Sequence, residues 1–323
     1  MPQALLFDSN GKPKEILQVE GNIDKINPLN ISWINLRAGD DLSTSLPIIV
    51  NRSSSFTEDF IEEQRPRIEI YQTLEDNEDT YSVLIFAFPT NKIYLEDEFQ
   101  IQISFLIIDN TIYTTSTKDN QILIEIMTKL VSKKKNYTLT KLFEFIISET
   151  LEMSIKVMDE LIDYVESLER HQLKQGLKRG WLGSLLMLKG RLFDSSKLLK
   201  ADLEHIQEIQ TGEVPEIDTE IFGGHVEDRF LFLLDQTDSL RENLSNMINM
   251  NIAIQSNIMN KNFYYLTIIG SLLIIPTVIS SLWGMNLSDV PQIGFWPMFF
   301  VITVLTLLSG FIVKLILPKP ILS

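Results

Sequence analysis

Two long uncharged stretches close the chain and limit what it can fold into. Asn262 to Ser288 is a run of 27 residues without Asp, Glu, Lys or Arg, and Val290 to Val313 is a second run of 24. About 20 apolar residues in a helix cross the hydrocarbon core of a bilayer. A helix also satisfies its own backbone polar groups there. Each run therefore predicts a transmembrane helix. Asn286, Asp289, Pro291, Gln292 and Gly294 lie between them and have turn chemistry. Lys261 precedes the first span, Lys314 and Lys319 close the second, and the connecting loop carries no Lys or Arg. This asymmetry predicts a multi-pass protein of the plasma membrane with both termini cytoplasmic and the short loop outside. The N-terminus has no basic stretch followed by an apolar run, so no signal peptide is expected.

Most of the mass precedes the spans. It is acidic, and the whole chain carries 43 Asp and Glu against 28 Lys and Arg, a net charge of −15. That balance argues against a nucleic-acid partner, which needs a basic surface, and it permits divalent cations. With no cysteine, disulfides and thiolate metal sites are excluded. The runs Ala4–Asp8, Ile31–Leu36, Arg67–Thr73, Tyr81–Pro89, Phe99–Ile108 and Thr111–Thr115 are β-branched or aromatic and bounded by turn residues, so they read as strands. Helices are expected at Phe56–Glu63, at Gln121–Val131 and from Leu139 to Gln210. Gly176, Gly180 and Gly183 suggest a bend or a close packing contact, and the acidic stretch Ala201–Glu220 reads as a helix–helix turn.

From His225 there is no Pro or Gly before Gly270. One helix from 225 to 282 would be roughly 87 Å long at 1.5 Å per residue, of which about 30 Å fits a bilayer. The remainder predicts a cytoplasmic stalk packed against other helices. Read in alternating steps of three and four, this helix shows one face made of Asn249, Ala253, Ser256, Asn260, Phe263, Thr267, Gly270, Ile274, Thr277, Ser281 and Gly284, with Ser271 and Ser280 beside it. Nine of the eleven are small or polar within an otherwise Leu- and Ile-rich span. Such a stripe suits either close helix packing or a water-lined path. Two helices cannot enclose a path, so the second reading requires several copies around an axis. Uncharged hydroxyls and amides can bond the water shell of a hydrated ion, and Mg²⁺ in particular dehydrates reluctantly. Phe263, Leu266 and Ile274 would then be apolar constrictions.

Little else in the chain suggests chemistry. His171, His205 and His225 have no second ligand at metal spacing, and Met247, Met250 and Met259 read as stalk packing. Neither Gly180–Gly183 nor Gly223-Gly224 is followed by the Lys-Ser/Thr of a phosphate loop. No Ser–His–Asp pattern is present, so an enzyme is not expected.

At the end of the first span stands Trp283-Gly284-Met285-Asn286, preceded by Pro276-Thr277. A Gly-Met-Asn tripeptide closing the first of two C-terminal spans resembles the signature of the CorA family of magnesium and cobalt channels. Trp33-Ile34-Asn35-Leu36 is similar to the family's Trp-Ile-(Asp/Asn) strand. Glu58-Asp59 followed by Gln64-Arg65-Pro66-Arg67-Ile68-Glu69 is similar to its Glu-Asp…Gln-Arg-Pro-Lys-(Val/Ile)-Glu segment. The resemblance implies an α+β cytoplasmic domain with a long helical stalk and two C-terminal transmembrane helices, assembled as a homopentameric funnel in membrane lipid. The expected order is an α/β domain (1–131), a helical hairpin (132–224), the stalk helix (225–260), a pore-lining first span (261–285), an extracellular loop (286–294), a second span (295–317) and a short tail (318–323). The resemblance further implies that Mg²⁺ is both substrate and regulatory ligand. Asn286, with the backbone around Gly284 and Met285, would form the outer selectivity ring and hold Mg²⁺ through its waters. Asn260, Leu266 and Thr277 match pore-facing positions. Glu58 and Asp59 match acids that bind regulatory Mg²⁺ between subunits, with Asp228 and Glu227 as stalk candidates for the opposing side.

This sequence departs from the family pattern in places. His225 falls where a family aspartate is expected, the loop Asn286–Gln292 lacks a glutamate after Pro291, and the C-terminal lysine cluster is reduced to Lys314 and Lys319. Co²⁺ or Ni²⁺ could share the path. The zinc-transporting branch is a rival that Met285 disfavours, because that branch usually carries Val or Ile there. A membrane-anchored sensor or scaffold without transport is the alternative from another class.

Overall fold

The computed structural model describes residues 2–18, 30–36, 66–72, 80–89, 100–116, 121–175, 181–285 and 294–316. The chain forms two compact units, one made of Met1–Leu173 with Lys178–Ser245, the other of Lys174–Leu177 with Asn246–Ser323. The first unit is built on a sheet of seven strands: β1 (Gln3–Phe7), β2 (Pro13–Gln18), β3 (Ser32–Leu36), β4 (Arg67–Gln72), β5 (Thr80–Pro89), β6 (Gln100–Ile108) and β7 (Thr111–Ser116). They lie in the order β2-β1-β3-β7-β6-β5-β4. Among the described strands only β3 and β7 pair parallel, with Trp33 opposite Ile112 and Asn35 opposite Thr114. Six of these strands coincide with the runs expected from sequence, whereas β2 was not anticipated. The helix expected at Phe56–Glu63 lies outside the described residues.

β5 and β6 pair over nine positions, from Tyr81–Ile108 to Pro89–Gln100, and their side chains are buried on both faces, apart from half-buried Gln100 at the open end of β6. This is why they read as near-continuous apolar runs rather than alternating ones. One face gathers Ala4, Ile34, Leu36, Val83, Ile85 and Leu106 in a single apolar cluster. The other is aromatic. Phe86 has ring centroids at 5.9 Å from Phe105, 6.2 Å from Phe88, 6.3 Å from Phe230 and 6.5 Å from Phe143. The turn between β1 and β2 is closed by Asp8 Oδ1, which accepts from the backbone N–H of Asn10 and of Lys12 at 2.9 Å each. Gly11 stands there at φ +75°, and a Cβ on it would lie 2.1 Å from the carbonyl oxygen of Tyr137. No other residue fits that approach.

Among the described residues the helices of the first unit are α1 (Gln121–Lys133), α2 (Leu139–Gln175), α3 (Trp181–Thr211) and the start of α4 (His225–Gly284). α4 is a single helix of 60 residues, as the absence of breakers predicted. Along it Val226, Phe230, Leu233, Thr237, Leu240, Leu244, Met247 and Asn251 are buried. These residues follow alternating steps of four and three, the spacing of helices packed nearly side by side. Polar contacts fix the arrangement: Gln236 Nε2 donates to Asp159 Oδ1 at 3.0 Å, Ser196 Oγ to Asp238 Oδ1 at 2.9 Å, and Arg229 Nη1 to the Ser148 carbonyl at 3.1 Å. Two expectations need correction. The stretch from Ala201 is not yet a turn: α3 continues to Thr211, because Glu204 and Glu208 are good helix formers as well as acids. The helix ends at Gly212, φ +88°. Gly183 lies inside α3 and a Cβ there would meet nothing within 4 Å, so it marks neither a bend nor a close contact. Gly176 and Gly180 lie outside the described residues.

Two carboxylates in this unit respond oppositely to pH. Asp202, on α3, is fully buried, and both its oxygens face the Ala87 N–H at 3.1 and 3.3 Å. Burial pushes its carboxyl well above the usual range, and the single N–H only partly opposes this. The unfolded chain releases this proton at lower pH than the folded one, so Asp202 lowers stability progressively as pH rises above the ordinary carboxylate range. Burial also disfavours the Glu149 carboxylate, but hydrogen bonds from Lys129 and Lys133 outweigh it and hold its pKa below the usual range. The stability Glu149 contributes is present at neutral pH and is lost on acidification. Asp202→Asn, which mimics the neutral acid, should therefore raise the unfolding temperature at pH 8 and flatten its decline between pH 5 and pH 8. Thermal unfolding of the detergent-solubilised protein checks this, and an unchanged slope would show that Asp202 is ionised in the folded state.

In the second unit the remainder of α4 is accompanied by α5 (Phe295–Ile316). Both helices are long and apolar enough to cross a membrane. They contact each other where the half-buried sides meet. A Cβ on Gly310 would lie 2.8 Å from Leu272 Cδ2. Nearer the other end, Trp283 and Ser280 border a cleft with Phe295, Met298 and Ile302.

Candidate functional site

The second half of α4 divides into distinct faces. Tyr264, Ile268, Ser271, Ile275, Ile279 and Trp283 are half-buried. They share the side on which Leu272 meets Gly310, and α5 is half-buried at Met298, Ile302, Thr306, Ser309 and Val313. The polar stripe is elsewhere. All eleven of its positions, from Asn249 through Asn260, Thr267, Gly270, Thr277 and Ser281 to Gly284, are exposed in the single chain. Among the described residues the stripe is therefore little used for packing within the chain; only Gly284, at its end, borders a cleft with Phe295 and Met298 of α5. Ser271, beside the stripe, is half-buried, and its Oγ donates to the Thr267 carbonyl at 2.8 Å.

Two hydroxyls of the stripe have a definite polarity. Thr267 Oγ1 donates to the Phe263 carbonyl at 2.8 Å and Thr277 Oγ1 to the Leu273 carbonyl at 2.7 Å. With the one hydrogen of each committed to the helix backbone, the exposed oxygens are left as acceptors. Acceptors suit the outward-pointing hydrogens of water bound to a cation and do not suit a bare anion. Between these polar rows stand Phe263, Leu266 and Ile274, 57%, 63% and 61% exposed. In a ring of copies, apolar side chains of this size would narrow a path and favour its dewetting.

The tripeptide at the end of α4 is described in part. Gly284 is the last helical residue, and the Met285 N–H bonds the Ser281 carbonyl at 3.2 Å. Both residues are exposed. Asn286 lies outside the described residues, as do Glu58 and Asp59. The stalk acids Glu227 and Asp228 stand in the first turn of α4, where the helix dipole favours negative charge. Glu227 Oε1 accepts from Gln207 Nε2 at 2.9 Å, and Asp228 is exposed. Beside them His225 Nε2 lies 3.0 Å from Glu144 Oε1, a partner that the sequence alone did not reveal. Among the described residues no three His, Asp or Glu side chains gather in an arrangement that could hold a metal ion. A cation held at the stalk acids would need ligands from elsewhere, and the residue types at hand, hard carboxylate oxygens, fit Mg²⁺ rather than a soft metal.

A family model described as CorA-like Mg²⁺ transporter protein matches residues 51–319. Among curated proteins, a cobalt/magnesium transport protein CorA of Methanocaldococcus jannaschii is 24% identical over 265 residues, which is 78% of this chain and 80% of the relative. The complete structure of the CorA magnesium transporter from Methanocaldococcus jannaschii superposes with a TM-score of 0.74 at 20% identity, covering 98% of this chain and 96% of that one. The full-length CmaX protein superposes with a TM-score of 0.69 at 14% identity, covering 97% of each chain. At these identities the structural likeness establishes the fold, a mixed sheet followed by a long helix and two C-terminal apolar helices.

Proposed function

The chain belongs to the CorA-like Mg²⁺ transporter family, and from that premise we propose that it forms a homopentameric channel of the plasma membrane that passes hydrated Mg²⁺ down its gradient. Co²⁺ and Ni²⁺, similar in hydration geometry, would share the path. α4 crosses the bilayer and lines the path, α5 backs it, and both termini are cytoplasmic. Aromatic residues of the kind found at membrane boundaries mark the levels, Tyr264 and Tyr265 at one end of the span and Trp283 and Trp296 at the other. From Tyr264 to Trp283 is about 28 Å of helix, close to the thickness of a hydrocarbon core.

The observation that supports this reading best is the stripe itself. A row of small and acceptor-bearing side chains runs the length of a membrane helix, and every position in it is exposed in the single chain. A polar surface facing lipid would be costly. Copies of α4 arranged around an axis would face it inward, with Asn260, Thr267, Thr277 and Ser281 contacting the ion's waters and Phe263, Leu266 and Ile274 as the gates. Gly284, Met285 and Asn286 are the outer filter in this reading, with Asn286 holding Mg²⁺ through its hydration waters. Glu58 and Asp59 of one copy, opposed by Glu227 and Asp228 of the next, bind intracellular Mg²⁺ and hold the channel shut. The Gln207 bond to Glu227 would then have to yield when the ion binds.

Purified protein in liposomes should pass Mg²⁺, and more slowly Co²⁺ and Ni²⁺, from a dye-reported gradient. Absence of flux at every Mg²⁺ concentration would reduce the protein to an anchored sensor. Zn²⁺ outpacing Mg²⁺ would assign it to zinc transport.

A further inference from the structure

The second span supplies one contact with a specific mechanical consequence. Gly310 of α5 is half-buried, and the space a side chain would fill is taken by Leu272 of α4, whose Cδ2 would lie 2.8 Å and Cγ 3.9 Å from an added Cβ. Leu272 is not an arbitrary neighbour. Four residues on stands Pro276, inside the helix. Proline has no N–H, so the Leu272 carbonyl lacks the i→i−4 bond that every other carbonyl of this stretch can receive, and the proline ring presses against it. The next turn is further engaged by the Thr277 hydroxyl, which bonds the Leu273 carbonyl, an arrangement that tends to bend helices. The side chain seated in the Gly310 socket thus belongs to a turn of α4 that lacks a backbone hydrogen bond. That turn carries Ile274 and Thr277 on the exposed stripe.

We propose that Gly310 is a positioning residue for the ion path: by receiving Leu272 it fixes the course of α4 at Pro276, and with it the direction in which Ile274 and Thr277 face. The proposal rests on the reading that α4 lines a conduction path. A single methyl at 310 would touch only the flexible end of Leu272, which can rotate away. A β-branched side chain would leave no such escape and would push on the turn itself.

The full-length protein in liposomes carries the test. Because the chain has no cysteine, Thr277→Cys introduces the sole thiol, and its rate of modification by a charged thiol reagent reads the exposure of that face without requiring conduction. In this background Gly310→Val should change the modification rate and the Mg²⁺ flux by about tenfold, the factor that roughly 1.4 kcal/mol of overpacking represents. Adding Leu272→Ala, which vacates the socket, should bring both back to within about threefold of the parent, since neighbouring substitutions couple. Gly310→Ala should leave both within about twofold, as Leu272 rotates aside. An unchanged rate in Gly310→Val, or a changed rate that Leu272→Ala does not restore, overturns the proposal. Should Gly310→Val fail to assemble, Leu272→Ala alone decides: emptying the socket should alter the thiol rate several-fold, and no change refutes the role. If the parent protein carries no Mg²⁺, the channel reading fails, while the thiol rates still separate a seated turn from an unseated one.

Discussion

Liposomes carrying Asn286→Ala protein should pass Mg²⁺ at about a hundredth of the wild-type rate or less, or lose the preference for Mg²⁺ over larger and singly charged ions. The expectation follows from how hydrated Mg²⁺ would be held in the proposed filter. The ion keeps its waters, bound in octahedral geometry at about 2.1 Å, so a filter recognises the shell and not the metal. An amide oxygen accepts a hydrogen bond from a strongly polarised water, and a bond to a charged group is worth about 1.5–3 kcal/mol. Removing one such group from every copy removes a ring of these bonds, and about 3 kcal/mol in the barrier is already roughly a hundredfold in rate. Which of the two outcomes appears depends on whether Asn286 mainly attracts the ion or mainly excludes others. Flux of Mg²⁺, Ca²⁺ and Na⁺ measured on the same preparation separates them. Wild-type flux with wild-type selectivity would move the filter away from the tripeptide.

Phe86→Ala should have the largest effect on folding, a loss of about 3–5 kcal/mol, the range for truncating a buried phenylalanine. Phe86 is fully buried and touches rings from β5, β6, α2 and α4, so four elements lose a common contact at once. Domains are stable by only about 5–15 kcal/mol, and this loss would show as a markedly lower unfolding temperature and easy proteolysis of the sheet unit. Met187→Ala, on the exposed side of α3, serves as the contrast and should stay within about 0.5 kcal/mol. Equal effects of the two would mean the aromatic cluster is not the centre of the core.

The legible parts of this molecule are those whose signal is local. The apolar runs of β5 and β6, the breaker-free stretch after His225 and the three-four stripe of α4 each declare themselves within one segment. β2 does not. Pro13-Lys-Glu-Ile-Leu-Gln carries charges and begins with proline, because it is an edge strand whose side chains are never fully buried. The pairing of β3 with β7 joins residues about eighty positions apart, and no local pattern encodes it. Glu204 and Glu208 misled in the other direction: acidity suggested a loop where helix propensity ruled. At the site, the stripe was visible as spacing, but its freedom from α5 was not. That needed the Leu272–Gly310 contact, made between two spans whose residues give no sequence clue to which sides meet. The His225–Glu144 pair was hidden for the same reason.

One consequence of the 60-residue helix concerns its length and not its contacts. Phe230 is held in the aromatic cluster, and Asn260 begins the membrane portion of the stripe, on one unbroken α-helix. Each residue inserted between them would turn everything downstream by roughly 100° about the axis, carrying Thr267 and Thr277 off their present azimuth while leaving Phe230 in place. Seven inserted residues would leave a phase error of only about 20°. Along this helix insertions or deletions in steps near seven therefore keep side-chain direction, whereas a single one behaves like a frameshift of it.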